Sequence, residues 1–288
     1  MEQVLLSIGH GYAAEYIARA LGPGWRILAS TRSGDRSAAL AQAGHVPVLW
    51  SPGGDKEAIR AALAEATHLV TSVPPDEAGD PVARALAPLI AEARRLRWIG
   101  YLSATSVYGD AQGGWVDEAT PPAPGSARGQ GRLDAERTWR ALGAGASIPV
   151  AVLRIAGIYG PGRSALDQLR RGTAHRIDKP GQVFSRIHVE DLGRIAAAAA
   201  VQRAGGVFNL CDGEPAPPQD VVAHAAELSG LPCPPLVPFD QAELSPMARS
   251  FYSENKRTRS VRVASELGIE LLYPDYRAGL RAILARGG

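Results

Sequence analysis

Short runs of consecutive apolar residues alternate along the first half of the chain with segments whose apolar positions recur every three or four residues. The runs Val4–Ile8, Trp25–Thr31, Val46–Trp50, His68–Val73, Trp98–Ser103 and Val150–Ile155 read as strands. Neighbouring positions within them are apolar, rather than every second one, so both faces of each strand are buried, as in a parallel sheet covered by helices. Between them, Tyr12–Leu21, Ala58–Leu63, Pro81–Leu96 (interrupted by Pro88) and Ala127–Leu142 carry helical spacing. The alternating order of strand and helix predicts an α/β fold with a doubly wound parallel sheet. Past Ile155 the rhythm loosens. A Gly/Pro loop ends at Arg163, and a short helix at Leu166–Arg170, an Ala-rich helix at Ile195–Gln202, a strand at Val207–Cys211 and a helix at Ala216–Leu228 follow. A Pro-rich stretch from Pro232 to Pro246 then leads into two closing helices. The expected division is a sheet domain over residues 1–157, rejoined at about 188–211, and a smaller substrate lobe formed mainly by 158–288.

Composition narrows the function classes. The chain has 288 residues, 45% hydrophobic and 21% charged, enough to bury a full core and unlike a disordered or disulfide-rich chain. A net charge of +2 gives no footprint for nucleic acid or a membrane surface. Only three lysines occur, Lys56, Lys179 and Lys256, and none follows a glycine, so a Walker-type phosphate loop is absent. Cys211 and Cys233 form no CxxC and fit a reduced interior. The N-terminal segment lacks a cationic leader, and the run Ile195–Val201 is too short to span a bilayer, so a cytoplasmic protein is expected. The six histidines show no HExxH or close metal spacing, so no metal is expected, and the absence of GxSxG argues against a serine hydrolase.

The chemistry begins at Gly9-His-Gly-Tyr-Ala-Ala14, which fits GxGxxA directly after a strand and at the start of a helix. Gly9 permits a tight turn, Gly11 lets backbone approach a pyrophosphate, Ala14 allows close helix–strand contact, and the helix N-terminus favours anionic oxygens. The second strand ends in Ser30, Thr31, Arg32 and Ser33, without the carboxylate that would bind the ribose 2′-hydroxyl of NAD. Arg32, with the Thr31 and Ser33 hydroxyls, suits a 2′-phosphate, so NADP is the expected cofactor, with NAD as the alternative. The expected cofactor contacts are Gly9, Gly11, Tyr12, Ala13, Ala14, Thr31, Arg32, Ser33 and Ser72.

Five landmarks in order, the glycine loop, YLSATSVYGD at Tyr101–Asp110, LRIAGIYGPGR at Leu153–Arg163, RIHVEDLGR at Arg186–Arg194 and FNLCDGEP at Phe208–Pro215, give the chain a resemblance to the extended short-chain dehydrogenase/reductases, the NAD-dependent epimerase/dehydratase family. The likeness covers nearly the whole chain and points to an atypical branch. It implies a Rossmann domain, a small C-terminal lobe, a substrate cleft between them and a carbonyl, alcohol or nucleotide-sugar-like substrate. Dimerisation through a helix pair is common in that family, so a homodimer is a further expectation.

The resemblance also implies a Ser/Thr–Tyr–Lys triad, and here the pattern breaks. Ala104 falls at the Ser/Thr position, Arg128 at the tyrosine and Arg132 at the lysine. A guanidinium stays protonated near neutral pH and cannot shuttle a proton as a phenol does. Arg128 can stabilise an oxyanion, and Arg132 can hold ribose or phosphate. The expected catalytic residues are therefore Thr105, Arg128, Arg132 and Tyr159, the last at a strand end, where either packing or proton transfer is open. Ser106 and Arg249 are the expected substrate contacts. Arg249 belongs to a cationic cluster with Lys256, Arg257, Arg259 and Arg262 that reads either as a solvated helix face or, as the resemblance implies, as an anion site for a small-molecule substrate. Tyr252 to Lys256 reads YxxxK, but far too late in the chain, and is taken as structural. The first reading is an oxidoreductase or epimerase; the second is a catalytically inactive NAD(P)-binding sensor.

Overall fold

The seven strands that carry the apolar runs join one parallel sheet in a computed structural model that describes residues 2–287. They are β1 (Gln3–Ile8), β2 (Trp25–Thr31), β3 (Val46–Leu49), β4 (His68–Thr71), β5 (Trp98–Ala104), β6 (Val150–Ile155) and β7 (Gly206–Leu210). Their order across the sheet is β7-β6-β5-β4-β1-β2-β3. The chain therefore reverses direction of travel between β1 and β4, and ligands of such sheets bind at that crevice. Ile8 pairs with Thr71, and Thr71 with Tyr101, so Gly9 and Ser72 leave the sheet side by side.

The apolar runs are explained by two hydrophobic layers. Val4 and Leu6 of β1 face one cluster with Ile59, Leu63, Leu86, Ile90, Tyr101 and Trp139. Leu5 faces the other, with Ile17, Ile27, Trp98, Ile195 and Phe208. The first layer is filled by helices α3 (Glu57–Glu65), α4 (Pro81–Glu92) and α5 (Ala127–Gly145), and the second by α1 (Tyr12–Leu21), α2 (Gly34–Gln42) and α7 (Val189–Gln202). Helix α7 packs tightly on α1, because a Cβ at Gly193 would lie 2.5 Å from the carbonyl oxygen of Tyr16.

Several boundaries differ from the sequence reading for physical reasons. Helix α2 escapes the pattern because Leu40 is its only buried residue, so it has no apolar stripe. Helix α4 runs through Pro88 but stops at Glu92. Helix α7 begins at Val189, six residues before its Ala-rich core, with Glu190 and Asp191 in its first turn. The closing segment holds three helices rather than two, α9 (Pro246–Phe251), α10 (Arg262–Leu267) and α11 (Tyr276–Ala285).

Beyond the sheet, α6 (Ala165–Arg170), α8 (Pro218–Ser229) and α11 close a third cluster around Tyr159, Leu166, Val221, Tyr276 and Leu280. Short parallel pairs, Gly157–Tyr159 with Arg186–His188 and Trp115–Val116 with Arg257–Thr258, stitch these segments to the strand ends. No helix among the described residues is long and apolar enough to cross a membrane.

Candidate active site

The glycine loop is fixed from both sides. Gly9 has φ +74°, and a Cβ there would lie 2.8 Å from Val73 Cγ2 and 3.1 Å from Ser72 Oγ, so only glycine fits. Its N–H donates to Ser30 Oγ at 2.8 Å, and its carbonyl accepts from Ser72 Oγ at 2.6 Å. Ser72 thus braces the loop. Gly11 is the N-cap of α1 and supplies no side-chain cap. A Cβ there would meet nothing nearer than the Gly9 carbonyl oxygen at 3.7 Å, so the space above the loop is open. Helices α2, α4, α5 and α11 are capped by Ser33, Asp80, Ser126 and Asp275. The uncapped first turn of α1 keeps the amides of Tyr12, Ala13 and Ala14 free for an anion. Ala14 is buried against the sheet, and Tyr12 Oη donates to the Pro161 carbonyl at 3.0 Å, tying this loop to the Gly160–Arg163 turn. A pyrophosphate fits this cradle.

At the end of β2, Thr31 Oγ1 accepts from the Ser33 N–H at 3.2 Å, and Ser33 Oγ caps α2 by accepting from Arg36 N–H at 3.4 Å. Arg32 is exposed beside them. Sequence reasoning missed Arg36, one helical turn on, whose Nη2 donates to the His10 carbonyl at 2.6 Å. The available signal was Ser33 as a helix start, which puts residue 36 in the first turn. His10 itself is buried between the two glycines. Its Nδ1 lies 2.9 Å from Ser7 Oγ and its Nε2 3.2 Å from Glu15 Oε2, and His45 Nε2 lies 2.9 Å from that same oxygen. Burial alone would raise the Glu15 carboxyl, but hydrogen bonds from His45, Arg19 and His10 bring it down to about 2. Burial lowers the His10 imidazole. The expectation of no metal rested on spacing along the chain; His10, Glu15 and His45 are gathered from a loop, a helix and a turn.

Ala104, expected at the Ser/Thr position, ends β5 and offers no hydroxyl. Ser103 turns inward and donates to Glu136 Oε1 at 2.6 Å. Thr105 and Ser106 open a single helical turn at the strand end, half-buried, and Ser106 Oγ is buried with no partner. Arg128 is exposed at the start of α5 with its guanidinium 5.2 Å from the Phe251 ring of α9. Arg132 donates to Tyr101 Oη at 3.2 Å and to the Leu102 carbonyl at 2.9 Å, holding α5 on β5. Of the two readings open for Tyr159, the structure shows packing. Its ring packs edge-on against His188, its hydroxyl donates to the Asp275 carbonyl at 3.3 Å, and burial pushes its pKa well up.

Three of the five cations in the C-terminal cluster have carboxylate partners. Lys256 pairs with Glu254, Arg259 with Asp117 and Arg262 with Glu266, while Arg257 donates to the Gly113 carbonyl. Arg249, like Arg257, meets a backbone carbonyl and no carboxylate among the described residues; it lies 5.0 Å over the Phe239 ring and donates to the Ala242 carbonyl at 3.1 Å. Lys256 also donates to the Gly109 carbonyl at 2.8 Å, and Tyr252 is buried between Phe184 and Phe239, so the YxxxK segment clamps the two parts together. Asp80 caps α4 and accepts from Trp139 Nε1, and Asp191 accepts from the Leu272 and Tyr273 amides.

Arg186 and Asp212 also went unnoticed in the sequence. Arg186 is half-buried and donates through Nη1 to the carbonyls of Phe184 and Ala216. Its charge acts on Asp212 and on Tyr159, Tyr252 and Tyr276. Asp212, just past β7, is 3% exposed, and its Oδ2 has no partner. Burial lifts its carboxyl to about 7, against the Glu214 N–H and the Arg186 charge. The only sequence signal was a carboxylate directly after an apolar strand.

The uncapped glycine cradle at the switch point of a doubly wound sheet, facing a small lobe, defines the class: the extended short-chain dehydrogenase/reductase fold. No profile of a known protein family matches the chain. Protein YeeZ of Escherichia coli K12 is 30% identical over 93% of this chain and 95% of its own length. The chain belongs to the YeeZ family. A 3-diazoavenalumate denitrifying reductase of Streptomyces is 31% identical over 48% of each chain. Among solved structures, a conserved protein of unknown function from Silicibacter pomeroyi matches with TM-score 0.90 and 52% identity over 99% of both chains. UDP-glucose 4-epimerase of Thermus thermophilus, in complex with NAD, matches with TM-score 0.75 and 18% identity over 98% of both chains, a likeness of fold with the NAD-dependent epimerases and dehydratases.

Proposed function

We propose that the chain is an NADP(H)-dependent reductase of a small carbonyl compound bearing an anionic group. The observation that carries this reading is the open, uncapped cradle over Gly9 and Gly11, beside a β2 end that offers Arg32 and Arg36 and no carboxylate. The amides of Tyr12, Ala13 and Ala14 would hold the pyrophosphate, and Thr31, Arg32, Ser33 and Arg36 the 2′-phosphate. The fold relative from Thermus thermophilus carries NAD, and the Streptomyces relative is named a reductase, which supports nicotinamide chemistry in the reductive direction.

A bound nicotinamide supplies the hydride. The chain's own task is to place and polarise the substrate carbonyl. Thr105 or Ser106 donates a hydrogen bond to its oxygen, and Arg128 stabilises the negative charge that develops there. Water protonates the resulting alkoxide, because Tyr159 is packed away. Arg249 and Arg186, neither of them ion-paired among the described residues, would receive an anionic substituent.

The test is separate titration with NADPH and NADH, followed by ligand fluorescence, in the wild type and Arg32→Ala. NADPH should bind more tightly than NADH. Losing one exposed charge-assisted contact should weaken NADPH by about tenfold and leave NADH nearly unchanged. Binding of neither cofactor would refute the reading. Ala104, Arg128 and Arg132 in place of the triad favour a second reading, a cofactor-binding sensor without turnover. It predicts the same titration but no oxidation of NADPH against a panel of aldehydes and keto acids.

A further inference from the structure

We propose that His10, Glu15 and His45 form a binding site for one divalent transition-metal ion of the zinc class, seated under the glycine loop. Three donor atoms of the right kinds converge: the Nε2 atoms of His10 and His45 lie 3.2 and 2.9 Å from one Glu15 oxygen, and all three lie within 4.8 Å of one another. An ion bonded at about 2.0–2.2 Å to each of three such atoms in tetrahedral geometry holds them roughly 3.3 Å apart, so the side chains need only small rotations to close on it. Two imidazoles and one carboxylate form a borderline donor set, suited to zinc, cobalt and nickel rather than magnesium or calcium.

The outer shell is built as well. Ser7 Oγ lies 2.9 Å from His10 Nδ1, fixing the ring so that Nε2 faces the cluster. Arg19 donates to Glu15 Oε1 at 2.9 Å and leaves Oε2 for the ion. The His10 and His45 rings meet edge-to-face at 4.8 Å, which aims both Nε2 atoms at the shared oxygen. The charges facing the site are those of Glu15, Arg19 and Arg36; the last is engaged by the His10 carbonyl. Glu15 is 27% and His45 9% exposed, so the fourth position opens to solvent. An ion here would tie the loop that carries Gly9 and Gly11 to helix α1 and to the turn before β3. Without one, the two imidazoles share the same carboxylate oxygen in a plain hydrogen-bond network.

Cobalt titration of untagged, chelator-treated protein, in the absence of dinucleotide, separates the two. The wild type should bind one equivalent with the visible d–d absorption of a four-coordinate site and no thiolate charge-transfer band, and zinc should displace it. His45→Gln and Glu15→Gln should each weaken binding at least ~100-fold, because a ligand rather than an outer-shell partner is lost. His224→Gln, in α8, should leave it unchanged. Zinc should raise the melting temperature of the wild type and not of His45→Gln. A wild type that binds less than one equivalent overturns the proposal whatever the variants do. So does a thiolate band, which would assign the ion to Cys233, or a titration that His224→Gln abolishes. Because no cofactor is present, failure here leaves the NADPH reading standing, and failure of NADPH binding leaves this one standing.

Discussion

Glutamine in place of Glu136 is expected to lower the unfolding free energy by about 3–5 kcal/mol. Glu136 on α5 and Arg154 on β6 are 3% and 4% exposed. Arg154 Nη2 donates to Oε2 at 2.7 Å and Nε to Oε1 at 3.1 Å, while Ser103 Oγ donates to the same Oε1 at 2.6 Å. The far side of the guanidinium lies 4.9 Å from the Tyr108 ring, whose hydroxyl donates to Asn209 Oδ1 at 2.8 Å. Burial alone would lower the Arg154 pKa, but its bonds to Glu136 win and raise it, so the cation persists in every accessible pH range. Glutamine keeps the shape and one acceptor but leaves that cation buried and uncompensated, which is the costly half of breaking an ion pair. Urea unfolding should show a lower midpoint with an unchanged slope. The double variant Glu136→Gln, Arg154→Met should recover most of the loss, because no buried charge is left unpaired. A single variant within about 1 kcal/mol of wild type would mean that water reaches the pair, against the range expected for a dry one. The network joins the ends of β5, β6 and β7 to α5, so it also sets where Thr105, Ser106 and Arg128 stand.

How far the sequence could be read followed from how each feature is made. The sheet was legible because β1, β2 and β4 to β6 feed two hydrophobic layers at once, which writes an uninterrupted apolar run. Helix α2 was not, since a helix that buries only Leu40 leaves no periodic trace. The glycine loop was legible because its demand is local: Gly9 must adopt φ +74° beside Ser72 and Val73. Tyr159 was ambiguous because a tyrosine at a strand end points to either side. The structure resolves it through Gly279, where a Cβ would lie 2.1 Å from Tyr159 Oη, so the glycine makes room for the ring inside the lobe. The His10–Glu15–His45 cluster and the Arg186–Asp212 pair each assemble from separate elements, and spacing along the chain carries no record of such meetings.

Between pH 4 and pH 8, Asp212→Asn is expected to gain up to about 4 kcal/mol of stability relative to wild type, taking 1.36 kcal/mol for each unit of a roughly three-unit shift. The sign follows from the proton count. Burial lifts the folded-state carboxyl to about 7, above its unfolded value near 4. Below pH 4 both states are protonated and the acid costs little. From there to pH 7 the unfolded chain ionises first and binds fewer protons than the folded one, so wild-type stability from this group falls as pH rises. Above pH 7 both states are ionised and the penalty is constant. His68 and His188, both buried and brought down to about 4, act in the opposite direction between pH 4 and 6.5. They are present in both proteins and cancel in the difference, which is why the difference is the quantity to measure. Urea unfolding of the two proteins at several pH values should give curves that diverge up to pH 7 and run parallel above it. Parallel curves throughout would mean that the Asp212 carboxylate is already solvated or paired. Asparagine preserves an acceptor for the Glu214 N–H, which Oδ1 now holds at 3.2 Å, so a local collapse of that turn is not the source of the effect.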